Sequence, residues 1–171
     1  MRTLKIILVI AGLICVGLQT AHSQASASKI LRKEPVLTRH AKGTFDVKTT
    51  ALAPDDATGG AAIGRYALDK LFHGDLEAAS KGQMLAAGDP AKGTAGYVAM
   101  EHVTGALSGN LGGFALQHSG TMDRDGQHLT VTVVPGSGTG QLAGIAGTMI
   151  ITISNGKHSY DFEYTLPSGA Q

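Results

Sequence analysis

Between Tyr97 and Met122 the chain reads YVAMEHVTGALSGNLGGFALQHSGTM, with one carboxylate, Glu101, and two imidazoles, His102 and His118. A carboxylate in contact with an imidazole displaces the titration of both groups, which is a condition for general acid/base work. Which histidine can reach Glu101 depends on strand register. Gly109-Asn110 is a two-residue hairpin signal, because a type I′ turn needs positive φ at both central residues. With those residues as the loop, Leu107 faces Gly112, Gly105 faces Phe114, Val103 faces Leu116, Glu101 faces His118 and Tyr97 faces Met122. Side chains alternate between the two faces of a strand, so Glu101 and His118 share the more apolar face and His102 points away. Directly opposed residues have Cβ atoms about 4.5–5.5 Å apart, close enough for a carboxylate to bond an imidazole. Glu101 and His118 are therefore the candidate catalytic pair. A buried pair that merely satisfies itself would leave the same trace, since unpaired burial of a charge is costly.

A second hairpin supplies a candidate cavity lining. Asn155-Gly156 as a two-residue loop pairs Ile153 with His158, Ile151 with Tyr160, Met149 with Phe162 and Gly147 with Tyr164, all on one side. A one-residue slip would turn these outward, so the pattern supports the register. Tyrosine combines an apolar body with a polar tip and suits a pocket wall. The candidate ligand-binding residues are Tyr97, Phe114, His158, Tyr160, Phe162 and Tyr164, with an ordinary aromatic core as the alternative. Lys70 joins them if the loop His73-Gly74-Asp75 has three residues. That loop sets Tyr66, Leu68, Lys70 and Phe72 beside Leu76, Ala78, Ser80 and Met84 on the inner face. A two-residue turn at His73-Gly74 would instead pair Lys70 with Glu77 outside.

Other chemistry finds little footing. GSGTGQLAG, from Gly136 to Gly144, formally contains G-x-G-x-x-A, but Pro135 ends the preceding strand and no helix of useful length follows. No H-E-x-x-H occurs, and Glu101 and His102 point to opposite faces, so no metal site is expected. No G-x-S-x-G elbow marks a serine hydrolase. No cofactor is implied.

The elements that must hold these residues are strands. GTFDVKTTAL, IGRYALDKLF, LEAASKGQML, YVAMEHVTGAL, GGFALQHSGTM, HLTVTVV, TMIITIS and KHSYDFEYTL alternate with turn segments rich in Gly, Asp, Asn and Pro. Beyond the first residues, no segment of ten or more carries a helical apolar period. About eight strands joined by short turns predict an all-β fold: a single antiparallel up-and-down β-barrel, closed so that no sticky edge remains, with a two-sheet sandwich as the alternative. The high glycine count, 24 residues, fits many tight turns.

The first residues read as a targeting signal. Arg2 and Lys5 precede an apolar run from Ile6 to Leu18, followed by small residues suited to cleavage. The expected organisation is a signal peptide over 1–23 (cleavage as late as 27), a flexible arm over 24–41, the barrel over 42–167 and a tail over 168–171. The run is short for a membrane span, so no span is expected after cleavage, and a secreted or periplasmic location is. Cleavage removes Cys15, the only cysteine, and with it any disulfide or thiolate chemistry. Without Arg2 and Lys5, 12 of the 14 basic residues remain against 13 acidic ones, a net charge near −1. Such a balance offers no attraction for nucleic acid.

GTFDVK, FHGDLEAASKGQML, GYVAMEHVTGALSGNLGGFALQHSGTM, LTVTVVPGSGTGQLAGIAGTM and GKHSYDFEYTL, in that order, resemble an uncharacterised bacterial family, domain of unknown function 3224. The resemblance runs from Gly43 to Leu166. It implies a barrel similar to allene oxide cyclase, in the broad company of lipocalin-like folds, and it implies no reaction. Homo-oligomers are compatible with that barrel class. The leading functional expectation is a barrel that binds a small, largely apolar ligand. An isomerase or cyclase using the Glu101/His118 pair and a filled, purely structural barrel are the alternatives.

Overall fold

A computed structural model describes residues 37–54, 56 and 62–167. The expected signal peptide, most of the expected arm and the C-terminal tail lie outside the described residues.

The described chain forms nine strands: β1 Thr38–Ala51, β2 Gly64–Gly74, β3 Leu76–Asp89, β4 Thr94–Leu107, β5 Asn110–Asp123, β6 Gly126–Val133, β7 Thr139–Gly140, β8 Ala146–Ser154 and β9 Lys157–Thr165. All ladders are antiparallel. Each long strand pairs with its neighbours in sequence, β9 returns to β1, and β8 joins β6. This is the expected closed eight-stranded meander, with the two-residue β7 as an addition. The β6–β8 seam is thin, with Thr132 opposite Thr148 as its registered pair. Where β6 stops, β7 takes over the free edge of β5 by pairing with Gly112 and Gly113.

Strand β1 starts earlier than the sequence suggests. Thr38 to Ala41, expected within a flexible arm, pair with the end of β9, and Ala41 is fully buried opposite Phe162. The partner strand lies more than a hundred residues away, so no local pattern marks this start. Near the other side of the chain a 3-10 turn, Pro90–Lys92, interrupts the β3–β4 connection. Its N-cap is Asp89, whose carboxylate accepts from the Ala91 amide at 3.0 Å.

The β8–β9 hairpin has the expected register throughout, with Asn155 and Gly156 at positive φ. The β4–β5 hairpin does not. Its turn is Ser108-Gly109, with φ of 48° and 82°, one residue before the expected Gly109-Asn110. Leu107 therefore pairs with Asn110, Val103 with Phe114, Glu101 with Leu116, Ala99 with His118 and Tyr97 with Gly120. The whole ladder is displaced by two residues. The reason lies outside the local turn rule. The Ser108 amide donates to the Asp75 carbonyl at 2.7 Å, the Tyr164 hydroxyl donates to Ser108 Oγ at 3.2 Å, and Asn110 Nδ2 donates back to the Leu107 carbonyl at 3.1 Å. A two-residue displacement preserves which face each side chain occupies, so the predicted inner and outer sets survive.

The β2–β3 connection is wider than a three-residue loop: Phe72 pairs with Ala78 and Lys70 with Ser80. The faces again match the expectation, and Lys70 is inside.

The barrel interior is unequal along its axis. At the end carrying the β2–β3 and β4–β5 turns, Leu76, Leu107, Phe114, Phe162 and Tyr164 are almost completely buried, and Leu142 and Ile145 from the β6–β8 loop join the same core. Phe114 stacks on Phe162 at 5.6 Å and Phe162 on Tyr164 at 5.3 Å. The loop is tied down by Gln141, whose amide donates to the Leu111 carbonyl while its side-chain oxygen accepts from the Leu111 amide. This end is sealed by packed apolar side chains. The opposite end is open.

Candidate functional site

Midway along the barrel four polar side chains converge from four strand positions: Lys70 on β2, Ser80 on β3, Glu101 on β4 and His118 on β5. Adjacent strands bring them together, since Lys70 pairs with Ser80 and the β3, β4 and β5 ladders follow in sequence. All four are buried, Glu101 to 2% exposure and Lys70 to 6%. Glu101 is the hub. Its Oε1 accepts from Lys70 Nζ at 2.8 Å and from His118 Nε2 at 2.8 Å, and its Oε2 accepts from Ser80 Oγ at 2.7 Å. Among the described residues no buried side-chain nitrogen or oxygen lacks a partner.

Room for this hub comes from Gly82, which sits opposite Glu101 on β3. A Cβ at Gly82 would run into the Met100 carbonyl and would lie 2.7 Å from both Cα and Cβ of Glu101. Below the hub, Lys70 Nζ lies 5.0 Å from the Phe45 ring centroid and 5.9 Å from that of Phe72, so its ammonium is flanked by aromatic faces as well as by the carboxylate.

The electrostatics follow from these contacts. Burial by itself would raise the Glu101 pKa. The His118 hydrogen bond and the Lys70 charge outweigh it and lower the carboxyl to about 2. With the carboxylate ionised, His118 must present Nε2–H as the donor. A carboxyl this acidic, with both oxygens occupied, is a weak proton acceptor at neutral pH. The cluster is thus built to hold a charge in place.

Above the hub the barrel opens into a cup of about 540 Å³. Its walls carry Tyr66, Met84, Tyr97, Met122, Leu129 and Ile153, with several Gly and Ala residues between them. The Tyr97 ring packs against Gly120, its partner on β5, so closely that a Cβ there would overlap the ring. Gly120 is two residues beyond His118 on the same face, so Tyr97 roofs the buried cluster and floors the cup. Burial raises the Tyr97 phenol pKa, and the nearby Glu101 charge adds to the rise. Neither the Tyr97 nor the Tyr66 hydroxyl has a hydrogen-bond partner among the described residues.

The residues singled out in the sequence therefore separate. Glu101 and His118 meet, although diagonally, and Lys70 joins them instead of lining open space. Tyr97 lines the cup. Phe114, Phe162 and Tyr164 do not, because they fill the sealed end. Tyr160 closes the core near them, its hydroxyl accepting from the Leu76 amide at 2.9 Å and donating to the His73 carbonyl at 3.2 Å. His158 is half-buried against the Phe45 ring at 5.0 Å. Ser80, Tyr66, Met84, Met122, Leu129 and Ile153 were not foreseen as site residues. Ser80, Tyr66 and Met84 belong to inner faces that alternation alone identifies, but their height along the axis requires the closed barrel. Among the described residues no three His, Cys, Asp or Glu side chains are grouped so as to hold a metal ion.

An up-and-down barrel, packed solid at one end, cupped at the other and crossed by a buried ionic hub, defines the class of this protein. The chain belongs to the DUF3224 family, described as protein of unknown function, whose model matches residues 41–164. A crystal structure of a DUF3224 protein of unknown function from Shewanella oneidensis MR-1 is similar, with 48% sequence identity and a TM-score of 0.69. The similarity covers 77% of this chain and all of that one. A comparison with curated proteins returned no match.

Proposed function

We propose that this protein binds a small, largely apolar molecule in the cup at the open end of its barrel. One observation carries the reading: the barrel is filled from one end to its middle, yet a cavity of about 540 Å³ is left at the other, walled by tyrosine, methionine and aliphatic side chains. Small-molecule sites typically measure roughly 300–1,000 Å³ and are mainly apolar with a few polar groups. Methionine walls adapt to varied shapes. The N-terminal signal features favour action outside the cytoplasm, in the periplasm or the medium. Native mass spectrometry of the protein purified without detergent tests the reading. A bound small molecule that is lost from a variant with the cup filled, such as Gly120→Leu, supports it, and an empty cup against a broad panel of apolar compounds refutes it.

An isomerase or cyclase using Glu101 as base is the weaker reading. The carboxylate already accepts three hydrogen bonds and is buried to 2% exposure. Retention of a co-purifying compound without turnover separates the two.

A further inference from the structure

The chemistry of the cup narrows the class of molecule it can take. Among the described residues its lining contains no Asp, Glu, Lys or Arg. His128, the one imidazole, is an exposed rim residue whose strand neighbours Gln127 and Leu129 are the ones directed inward. The buried charges Lys70 and Glu101 lie below the floor and are closed on each other at 2.8 Å, and the rim carboxylate of Asp89 is paired with Lys92 at 3.3 Å. A carboxylate or ammonium group entering the cup would lose its hydration and meet no counter-charge in the lining, which disfavours it strongly.

The lining does carry polar groups without a hydrogen-bond partner among the described residues, among them the hydroxyls of Tyr66 and Tyr97 in the walls and the amide of the exposed Gln127 at the rim. The two tyrosines stand on β2 and β4, on either side of β3, where Tyr66 is opposite Met84 and Tyr97 opposite Ala86. Each can donate to an oxygen acceptor. Burial and the Glu101 charge keep the Tyr97 phenol in its neutral, donating form.

We propose that the cup selects uncharged molecules that offer a carbonyl, ether or hydroxyl oxygen to Tyr66 and Tyr97, and rejects carboxylates and amines of the same shape. This rests on the ligand-binding reading above and assigns its chemistry: the ligand is a neutral, oxygen-bearing apolar compound, not a fatty acid or a cationic amphiphile.

The test uses four probes on one skeleton: 2-ethylnaphthalene, 2-acetylnaphthalene, 2-naphthoate and 2-naphthylmethylammonium. Binding to the full chain is measured at pH 7 by ligand-observed NMR and calorimetry. The ketone should bind at least tenfold more tightly than either ion. Tyr66→Phe and Tyr97→Phe should each weaken the ketone by roughly two- to tenfold, the worth of one hydrogen bond, and leave the hydrocarbon unchanged. These variants remove only hydroxyls without a hydrogen-bond partner among the described residues, so the fold should be preserved, which thermal unfolding checks. Naphthoate or the ammonium binding as tightly as the ketone overturns the selectivity and leaves the cup as a binding site. An unchanged ketone affinity in the double Tyr66→Phe/Tyr97→Phe variant overturns it too. Failure of all four probes to bind overturns both this inference and the reading on which it rests.

Discussion

His118 Nε2 lies 2.8 Å from Glu101 Oε1, yet the two residues do not face each other across the β4–β5 ladder. Glu101 is opposite Leu116, and His118 is opposite Ala99. The contact is diagonal, and long side chains bridge such a gap readily. What makes it firm is the third strand, since Lys70 and Ser80 approach the same carboxylate from β2 and β3.

Glu101→Gln should destabilise the barrel. The substitution leaves the Lys70 ammonium buried among Phe45, Phe72 and an amide that cannot neutralise it. Breaking one partner of a buried ion pair costs about 3–5 kcal/mol. Urea denaturation checks this. The paired variant Lys70→Met/Glu101→Leu should recover most of the loss, because an apolar replacement of both partners leaves no stranded charge.

The same pair predicts a pH dependence. The Glu101 carboxyl titrates at about 2 in the fold, against 4.5 for the reference side chain. A depressed carboxyl stabilises the fold fully above about pH 4.5 and loses that contribution as pH falls toward 2. The contribution at neutral pH is about 3 kcal/mol, from roughly 1.4 kcal/mol per pKa unit. The stability gap between wild type and Glu101→Gln, followed by denaturation from pH 6 to pH 2, should therefore shrink as the pH is lowered. A constant gap would place the stabilisation elsewhere.

Gly82→Ala should be damaging out of proportion to one methyl group. The added carbon meets β4 backbone at Met100 and Glu101, which cannot rotate away as a side-chain tip could. Overpacking of this kind costs about 1–3 kcal/mol. The displaced Glu101 should also loosen its bond to His118, visible as a change in the imidazole NMR signals.

The two ends of the barrel should respond separately. Leu142→Ala opens a void in the sealed end and should cost about 2–5 kcal/mol, while leaving cup binding intact. Gly120→Leu pushes the Tyr97 ring into the cup and should abolish ligand uptake. Thermal unfolding and probe binding on both variants distinguish the roles.

Alternation of apolar and polar residues determines most of the fold. Strand side chains repeat every two residues, so the inner faces of β4, β5, β8 and β9 were legible, and with them the inward aim of Glu101, His118 and Tyr97; Lys70 stayed open between two turns until the β2–β3 pairing set it inside. The Asn155-Gly156 turn also fixed its register, because asparagine and glycine both tolerate the left-handed backbone it needs. The β4–β5 register was not legible. A two-residue displacement leaves every face unchanged, so hydrophobic pattern cannot detect it, and the turn was decided by Asp75 and Tyr164, residues 33 and 56 positions from Ser108. Height along the barrel axis was hidden for the same reason. Phe114, Phe162 and Tyr164 share the inward direction of Tyr97, but only closure of eight strands, with Leu142 and Ile145 folded over one end, sends three of these rings into solid core and leaves the fourth at the floor of a cup. Local sequence specifies the side of a strand on which a residue lies, whereas its neighbours depend on contacts made by distant segments.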